Sequence, residues 1–196
     1  MSEPDIAAIV LAAGRSTRMG AQNKLLADIG GKPMVRRVVE AVLGSAARPV
    51  LVVTGHQQAD VRAELTELDL SFVANPDFAS GLSSSLKAGV RAVSDECAGA
   101  LVLLGDMPQI EAAHLDRLIA AFVPGAIVVP VHEGRQGNPV LWPRSYFPEL
   151  LQLEGDAGAK RLIAGHREQV REVDLGTPGI FADIDTPEDL VRTQGR

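Results

Sequence analysis

The chain has 196 residues, 46% of them hydrophobic, and a formal net charge of -6; that length fits one domain with a sizeable core, and the acidic balance argues against a broad footprint for nucleic acid or an anionic membrane. Cys97 is the sole cysteine, so no intrachain disulfide or thiolate cluster can form, and His56, His114, His132 and His166 lack the close spacing of a zinc site. No apolar run approaches the roughly 18 residues that span a bilayer, and the opening "MSEPD" has no basic start, so a cytoplasmic location is expected.

Short β-branched runs alternate with amphipathic stretches. The first, "IAAIVLA" (6–12), is apolar throughout, which predicts a strand covered on both faces. Behind it lies a loop with Gly14, Arg15, Arg18, Gly20 and Lys24. Its glycines permit positive φ and close approach to an anion, and its cations repel one another unless an anion lies among them. A loop beyond the carboxyl end of a strand is also where open α/β sheets bind ligands. The two glycines enclose five residues where a P-loop has four, and G-x-G-x-x-G is absent, which removes the fingerprint of a Rossmann oxidoreductase. The other reading of the loop is an exposed turn with solvated charges.

Next, 33–43 predicts a helix that starts at Pro33, lines up Val35, Val38, Val39 and Val42, and ends at Gly44. Strands are expected at 50–54, 71–74, 100–105 and 126–131, with helices at 57–68, 82–93 and 111–122. This βαβα order predicts an α/β fold: three α/β/α layers around a Rossmann-like, mostly parallel sheet. After Val131 the rhythm changes to a hairpin turn ("HEGRQGN"), a strand ("PVLW"), and two short helices around "EGDAGA" within 144–165. Two short strands follow, "QVREVDL" and "FADI", and then a helix "TPEDLVRT" with Thr186 as N-cap and Pro187 at its first position.

Asp106, in "LLGDMPQI", ends an apolar strand. A carboxylate there suits magnesium when a triphosphate lies alongside; a turn aspartate punctuated by Pro108 is the other reading. Gly105 is expected to leave room for a ligand. Ser83, Ser84 and Ser85 start a helix either as caps or as ligands. "GNP" reads equally as a turn, and "EGDAGAK" as a helix start capped by Asp156. Trp142 is expected to fill the core rather than stack on a ligand.

The run "LAAGRSTRMGAQNKLL" resembles the signature L-x-x-G-x-[ST]-x-R-M-G-x(2)-K-L of nucleotidyltransferases with a MobA-like fold, with one extra residue, Asn23, before the lysine. The segments "NPDFASGLSSSL", "LLGDMPQI", "GNPVLWPRSYFPELLQLEGDAGAKRLI" and "DIDTPEDL" extend the likeness over nearly the whole chain. Within that superfamily the chain is most similar to molybdenum cofactor cytidylyltransferases.

The resemblance implies a sheet of the nucleotide-diphospho-sugar transferase type, in a single domain over 1–196. Residues 1–131 would form the nucleotide-binding part, and 132–196 an acceptor-binding elaboration with the closing strand and helix. It implies Mg2+-dependent transfer of CMP from CTP, or of a nucleotide from another triphosphate, to the phosphate of molybdopterin, with pyrophosphate released. A recipient molybdoenzyme is the implied further partner, and neither nucleic acid nor membrane is. Lys24, Arg15, Arg18 and Asp106 are implied in catalysis. Leu11, Ala12, Ala13, Gly14, Arg15, Lys24, Thr54, Asn75, Gly81, Ser83, Ser84 and Ser85 are implied around the nucleotide. The metal would rest on Asp106 and Asp183, with Asp185 the alternative to the second. Gly137, Asn138, Pro139, Asp156, Gly158 and Ala159 would surround the acceptor. Ala13 stands where guanylyl enzymes of this branch have glycine, which implies cytidine; Asn138 stands where many members have histidine. A sugar or polyol phosphate acceptor, or a catalytically silent cofactor chaperone, are the competing readings. Retention of Arg15, Arg18, Lys24 and Asp106 together favours catalysis.

Overall fold

A computed structural model of the chain describes residues 4–15, 23–155, 158–184 and 189. β1 (Ile6–Ala12) is buried at every position because it runs through the middle of the sheet, parallel to β2 (Val50–Thr54) on one side and β4 (Gly99–Leu104) on the other. β3 (Ser71–Ala74) adds in parallel outside β2. Beyond β4 the sheet continues with β7 (Val140–Pro143), β5 (Ile127–His132) and β6 (Arg135–Gln136), giving the order β3-β2-β1-β4-β7-β5-β6, with β8 (Val170–Asp174) parallel to β5. β7 enters from beyond residue 131 and runs antiparallel to both β4 and β5. Glu133 and Gly134, with φ of 50° and 73°, make the tight turn from β5 to β6, as a two-residue hairpin with positive φ at both central positions requires.

Alternating side chains of β1 feed two cores. Ala8, Val10 and Ala12 pack with Val38 and Val42 of α1 (Met34–Leu43), Val61 of α2 (Gln58–Ala63), and Leu115 and Leu118 of α4 (Ala112–Ala120). Ala7, Ile9 and Leu11 pack on the other face with Leu86 and Val90 of α3 (Leu82–Ala92), and with Phe147 and Leu150 of α5 (Phe147–Leu150). Leu162 and Ile163 of α6 (Gly158–Gly165) pack against that second core. The three α/β/α layers and the mostly parallel sheet are as the pattern predicts. Trp142 is 1% exposed and belongs to the second core.

Two expected elements differ. The helix at 57–68 lasts only from Gln58 to Ala63, because Leu65 and Leu68 bond three residues back, to Arg62 and Leu65, and Thr66 Oγ1 bonds back to the Arg62 carbonyl at 2.8 Å. "FADI" is not a strand: Pro178–Phe181 form a 3₁₀ turn, capped where Thr177 Oγ1 accepts from the Gly179 N–H at 3.1 Å. Proline, with φ preset and no N–H, favours the first turn of a helix over a ladder. Of "TPEDLVRT", all but Asp189 lie outside the described residues, Thr186 and Pro187 included.

The chain crosses from the β3 side of the sheet to the β7 side between β1 and β4. Ligands of open α/β sheets bind at such a crossing, outside the carboxyl ends of the strands. Helix α3 closes on this part of the sheet through Gly89, where a Cβ would lie 2.4 Å from Ile9 Cγ2 and 3.1 Å from Val53 Cγ2. Both neighbours are β-branched and fully buried, so they cannot yield. Gly89→Ala is expected to lower stability by about 1–3 kcal/mol through overpacking, read as a lower denaturant midpoint; an unchanged midpoint would show that α3 can lift off the sheet.

Candidate active site

Lys24 and Asp106 come from loops after β1 and β4, which are neighbours in the sheet, and they meet. Lys24 Nζ donates to Asp106 Oδ2 at 2.5 Å, with both side chains largely buried, at 14% and 12% exposed. Asn23, the residue additional to the family signature, has a physical task here. It is buried, and its Oδ1 accepts from the Leu25 N–H at 3.1 Å, capping the 3₁₀ turn Lys24–Leu26 that carries the lysine.

Gly105 brings the second loop in. Its N–H donates to the Leu11 carbonyl at 3.0 Å, and a Cβ there would lie 3.1 Å from that oxygen and 3.3 Å from Leu25 Cδ2. The room that glycine leaves is therefore taken by the protein rather than by a ligand, which corrects the sequence expectation. Asp183 is held beside this loop: the Ile184 N–H donates to the Asp106 carbonyl at 3.1 Å, and Ile184 packs with Ile29 and Met34.

Burial is the main influence on the Asp106 carboxyl and raises its pKa above the ordinary aspartate value; Lys24 offsets part of that, and Asp183 adds to it. Asp106 Oδ1 is buried without a hydrogen-bond partner among the described residues. An orphaned carboxylate oxygen beside a second carboxylate fits a divalent cation, which takes oxygen ligands.

A cleft of about 1060 Å³ opens on the α3 and α6 face of the sheet and reaches the pair through Met107 and Asp183. Its floor includes Leu11, Val102, Val129 and Trp142, and its walls include Ser83, Asn138 and Ala159. This volume lies just above the roughly 300–1,000 Å³ of ordinary small-molecule sites. A smaller cavity of about 660 Å³ adjoins it, sharing Ser83 and Gly155.

Around the nucleotide-side residues the bonding is mostly internal. Asn75, 4% exposed, donates through Nδ2 to Ser84 Oγ at 2.9 Å and Ser85 Oγ at 3.0 Å, and its Oδ1 accepts from the Asp77 N–H. These contacts fasten the end of β3 to the start of α3. Gly81 sits there with φ of 100°, a conformation that favours glycine. Thr54 is fully buried at the end of β2, and its Oγ1 has no partner among the described residues. Ala12 and Ala13 are buried. Gly14 is not among the described glycines with positive φ, which corrects the expectation of positive φ there, and a Cβ on it would meet no described residue within 4 Å. The Arg15 guanidinium lies 5.7 Å from the centre of the Phe78 ring, a contact the sequence did not suggest. Arg18 and Gly20 lie outside the described residues.

On the other side, "GNP" is more than a turn. A Cβ on Gly137 would lie 2.5 Å from the Ile180 carbonyl, and the Asn138 N–H donates to that same oxygen at 3.0 Å. Pro139 follows a cis peptide bond. Gly158 opens α6, while Asp156 and Asp185 lie outside the described residues. Sequence reasoning passed over Arg135, Lys160 and Arg167, which also line the cleft; they come from β6, α6 and the turn before β8, so no one local cluster marks all three. Among the described residues no group of three or more His, Cys, Asp or Glu is placed to hold a metal, and no helix is long and apolar enough to cross a membrane.

The MobA-like NTP transferase domain matches residues 8–171. The chain is 32% identical to the purine catabolism protein PucB of Bacillus subtilis, over 98% of both chains. It is 28% identical to the molybdenum cofactor cytidylyltransferase of Escherichia coli, covering 96% of this chain and 95% of that one. Among solved structures, Rv0371c of Mycobacterium tuberculosis superposes with a TM-score of 0.91 at 28% identity over 100% of both chains; a manganese complex of that protein superposes with a TM-score of 0.84, at 27% identity, covering 97% of this chain and 98% of that one. The chain belongs to the MobA-like NTP transferase family and is a nucleotidyltransferase.

The raised pKa of Asp106 has a measurable consequence. The folded protein keeps this proton to higher pH than the unfolded chain does, so folding is favoured most below the ordinary aspartate value and less above it. The stability of the wild type relative to Asp106→Asn is therefore expected to fall as pH rises from about 4, and to level off once the folded carboxyl is ionised. Denaturant titrations of both proteins across this range check the slope, and an opposite slope would reject the assignment.

Proposed function

We propose that this member of the MobA-like NTP transferase family moves CMP from CTP to the phosphate of molybdopterin and releases pyrophosphate. One observation carries the reading: Lys24 and Asp106, 82 residues apart in sequence, are joined at the switch point of the sheet, beside a cleft large enough for two substrates. Residues 1–131 form the nucleotide part and 132–196 the acceptor part in this proposal. The identity of the acceptor rests on likeness to the molybdenum cofactor cytidylyltransferase, and cytidine rests on Ala13.

In the proposed reaction an acceptor phosphate oxygen attacks the α-phosphorus in line, the α–β bridging P–O bond breaks, and pyrophosphate leaves with the bond pair. A phosphate oxygen is already ionised at neutral pH, so no histidine or serine base is needed. Lys24 neutralises charge on the α-phosphate, and Arg15 and Arg18 hold the departing β- and γ-phosphates. Asp106 and Asp183 would hold the divalent ion, with Mg2+ proposed. Bound there, such an ion stabilises charge on phosphate oxygens as a Lewis acid. Thr54, Gly81 and Ser83 border base and ribose, while Asn75, Ser84 and Ser85 set the start of α3 against them. Gly137, Asn138, Pro139, Asp156, Gly158 and Ala159 border the acceptor.

Incubation with each of four nucleoside triphosphates and Mg2+, with and without molybdopterin, tests this by pyrophosphate release. Release confined to CTP plus molybdopterin is the expected result; release with a sugar phosphate in place of molybdopterin would replace the acceptor. Lys24→Ala is expected to lower kcat about 100-fold or more, the scale of losing one transition-state donor, while nucleotide Kd changes far less. Equal losses in both would reduce Lys24 to a binding residue.

A further inference from the structure

The acidic groups at the mouth of the cleft already have a cation. Lys24 Nζ occupies one oxygen of Asp106 at 2.5 Å, leaving Oδ1 without a partner among the described residues and Asp183 close enough to raise its neighbour's proton affinity. A divalent ion entering alone would place two more positive charges beside an ammonium that is itself largely buried. A triphosphate reverses that balance, because its anionic oxygens attract the lysine and the metal alike.

We propose that Lys24 is a resident counter-cation that competes with the metal for Asp106 in the nucleotide-free protein, and that an incoming triphosphate draws the ammonium off this carboxylate and so couples metal entry to nucleotide binding. The inference deepens the function proposed above and rests on its placing of the metal at Asp106 and Asp183. The same lysine thus serves two partners in turn: the carboxylate before the nucleotide arrives, and the α-phosphate afterwards. Its 3₁₀ turn, capped by Asn23, keeps the base of the side chain fixed while the flexible four-carbon stem carries the charge between them.

Manganese binding without nucleotide tests this, read from the electron paramagnetic resonance signal of free Mn2+. Lys24→Met and Lys24→Gln are expected to bind Mn2+ about tenfold more tightly than the wild type, within the usual range of coupling between sites. Arg15→Gln, which removes a cation from the same loop whose guanidinium rests on Phe78, is expected to change the affinity less than twofold, as a loss of remote charge alone. Unchanged or weaker binding in both lysine variants, or equal tightening in Arg15→Gln, overturns the competition. The wild type supplies a second reading should the lysine variants fail to fold: Mg2+ alone is expected to raise reductive methylation of Lys24 several-fold, and constant labelling overturns the inference. Failure of both tests alongside intact CTP-dependent pyrophosphate release would remove the competition and leave the function standing. Loss of Mn2+ uptake even with CTP present would remove the metal site and the competition together.

Discussion

Asp106 and Lys24 are held together where neither is well hydrated, and the cost of taking a carboxylate out of water still outweighs the help its partner gives. Buried ion pairs seldom repay their desolvation, and apolar residues of similar volume often serve stability better. A sheet crossing of this kind could have been filled with valine, as so much of this protein is. A poorly compensated charge pair at the mouth of a large cleft therefore fits the proposed chemistry better than a packing role.

The surrounding fold keeps that pair in register. Leu11 lies opposite Leu104 in the β1–β4 ladder, so the two loops leave the sheet side by side. Gly105 then lets the second loop lie against the Leu11 carbonyl and Leu25. From a segment far along the chain, Ile184 packs with Ile29 and Met34 and hangs the Asp183 segment on the Asp106 carbonyl. Three distant stretches converge, each fixed by backbone hydrogen bonds or apolar contacts rather than by the charges they present. Charged groups can then sit near one another without having to hold the structure together.

Local pattern made much of this legible, and long-range pairing hid the rest. Continuous apolar runs located β1 and β2 to the residue and β4 and β5 within one position, because strands buried on both faces carry a signal at every residue. The valine spacing marked the one buried face of α1, and flanking Pro33 and Gly44 bounded it. "FADI" misled because its alternation is outweighed by Pro178 and the Thr177 cap just before it. Lys24 and Asp106 could be singled out from their positions behind strands, but their contact depends on β1 and β4 being neighbours, which only the assembled sheet determines. Asn75 was implied near the nucleotide only by the family resemblance, and its bonds to Ser84 and Ser85 needed the fold.

The direction of β7 ties the two halves of the cleft together. Had β7 run parallel to β4, its far end, at Trp142 and Pro143, would meet the edge where Asp106 stands. Because it is antiparallel, with Val140 opposite Val102 and Pro143 opposite Gly99, the residues just before the strand arrive at that edge instead. These are Gly137 and Asn138, pinned there by the Ile180 carbonyl. Gly137 and Asn138, among the proposed acceptor residues, and Asp106, the proposed metal carboxylate, thus lie just beyond neighbouring ends of β7 and β4, strands that a ladder holds about 4.8 Å apart. An in-line displacement gains most when both reactants are held in fixed mutual orientation. In the proposed reaction, the inversion of β7 within the mostly parallel sheet supplies that orientation.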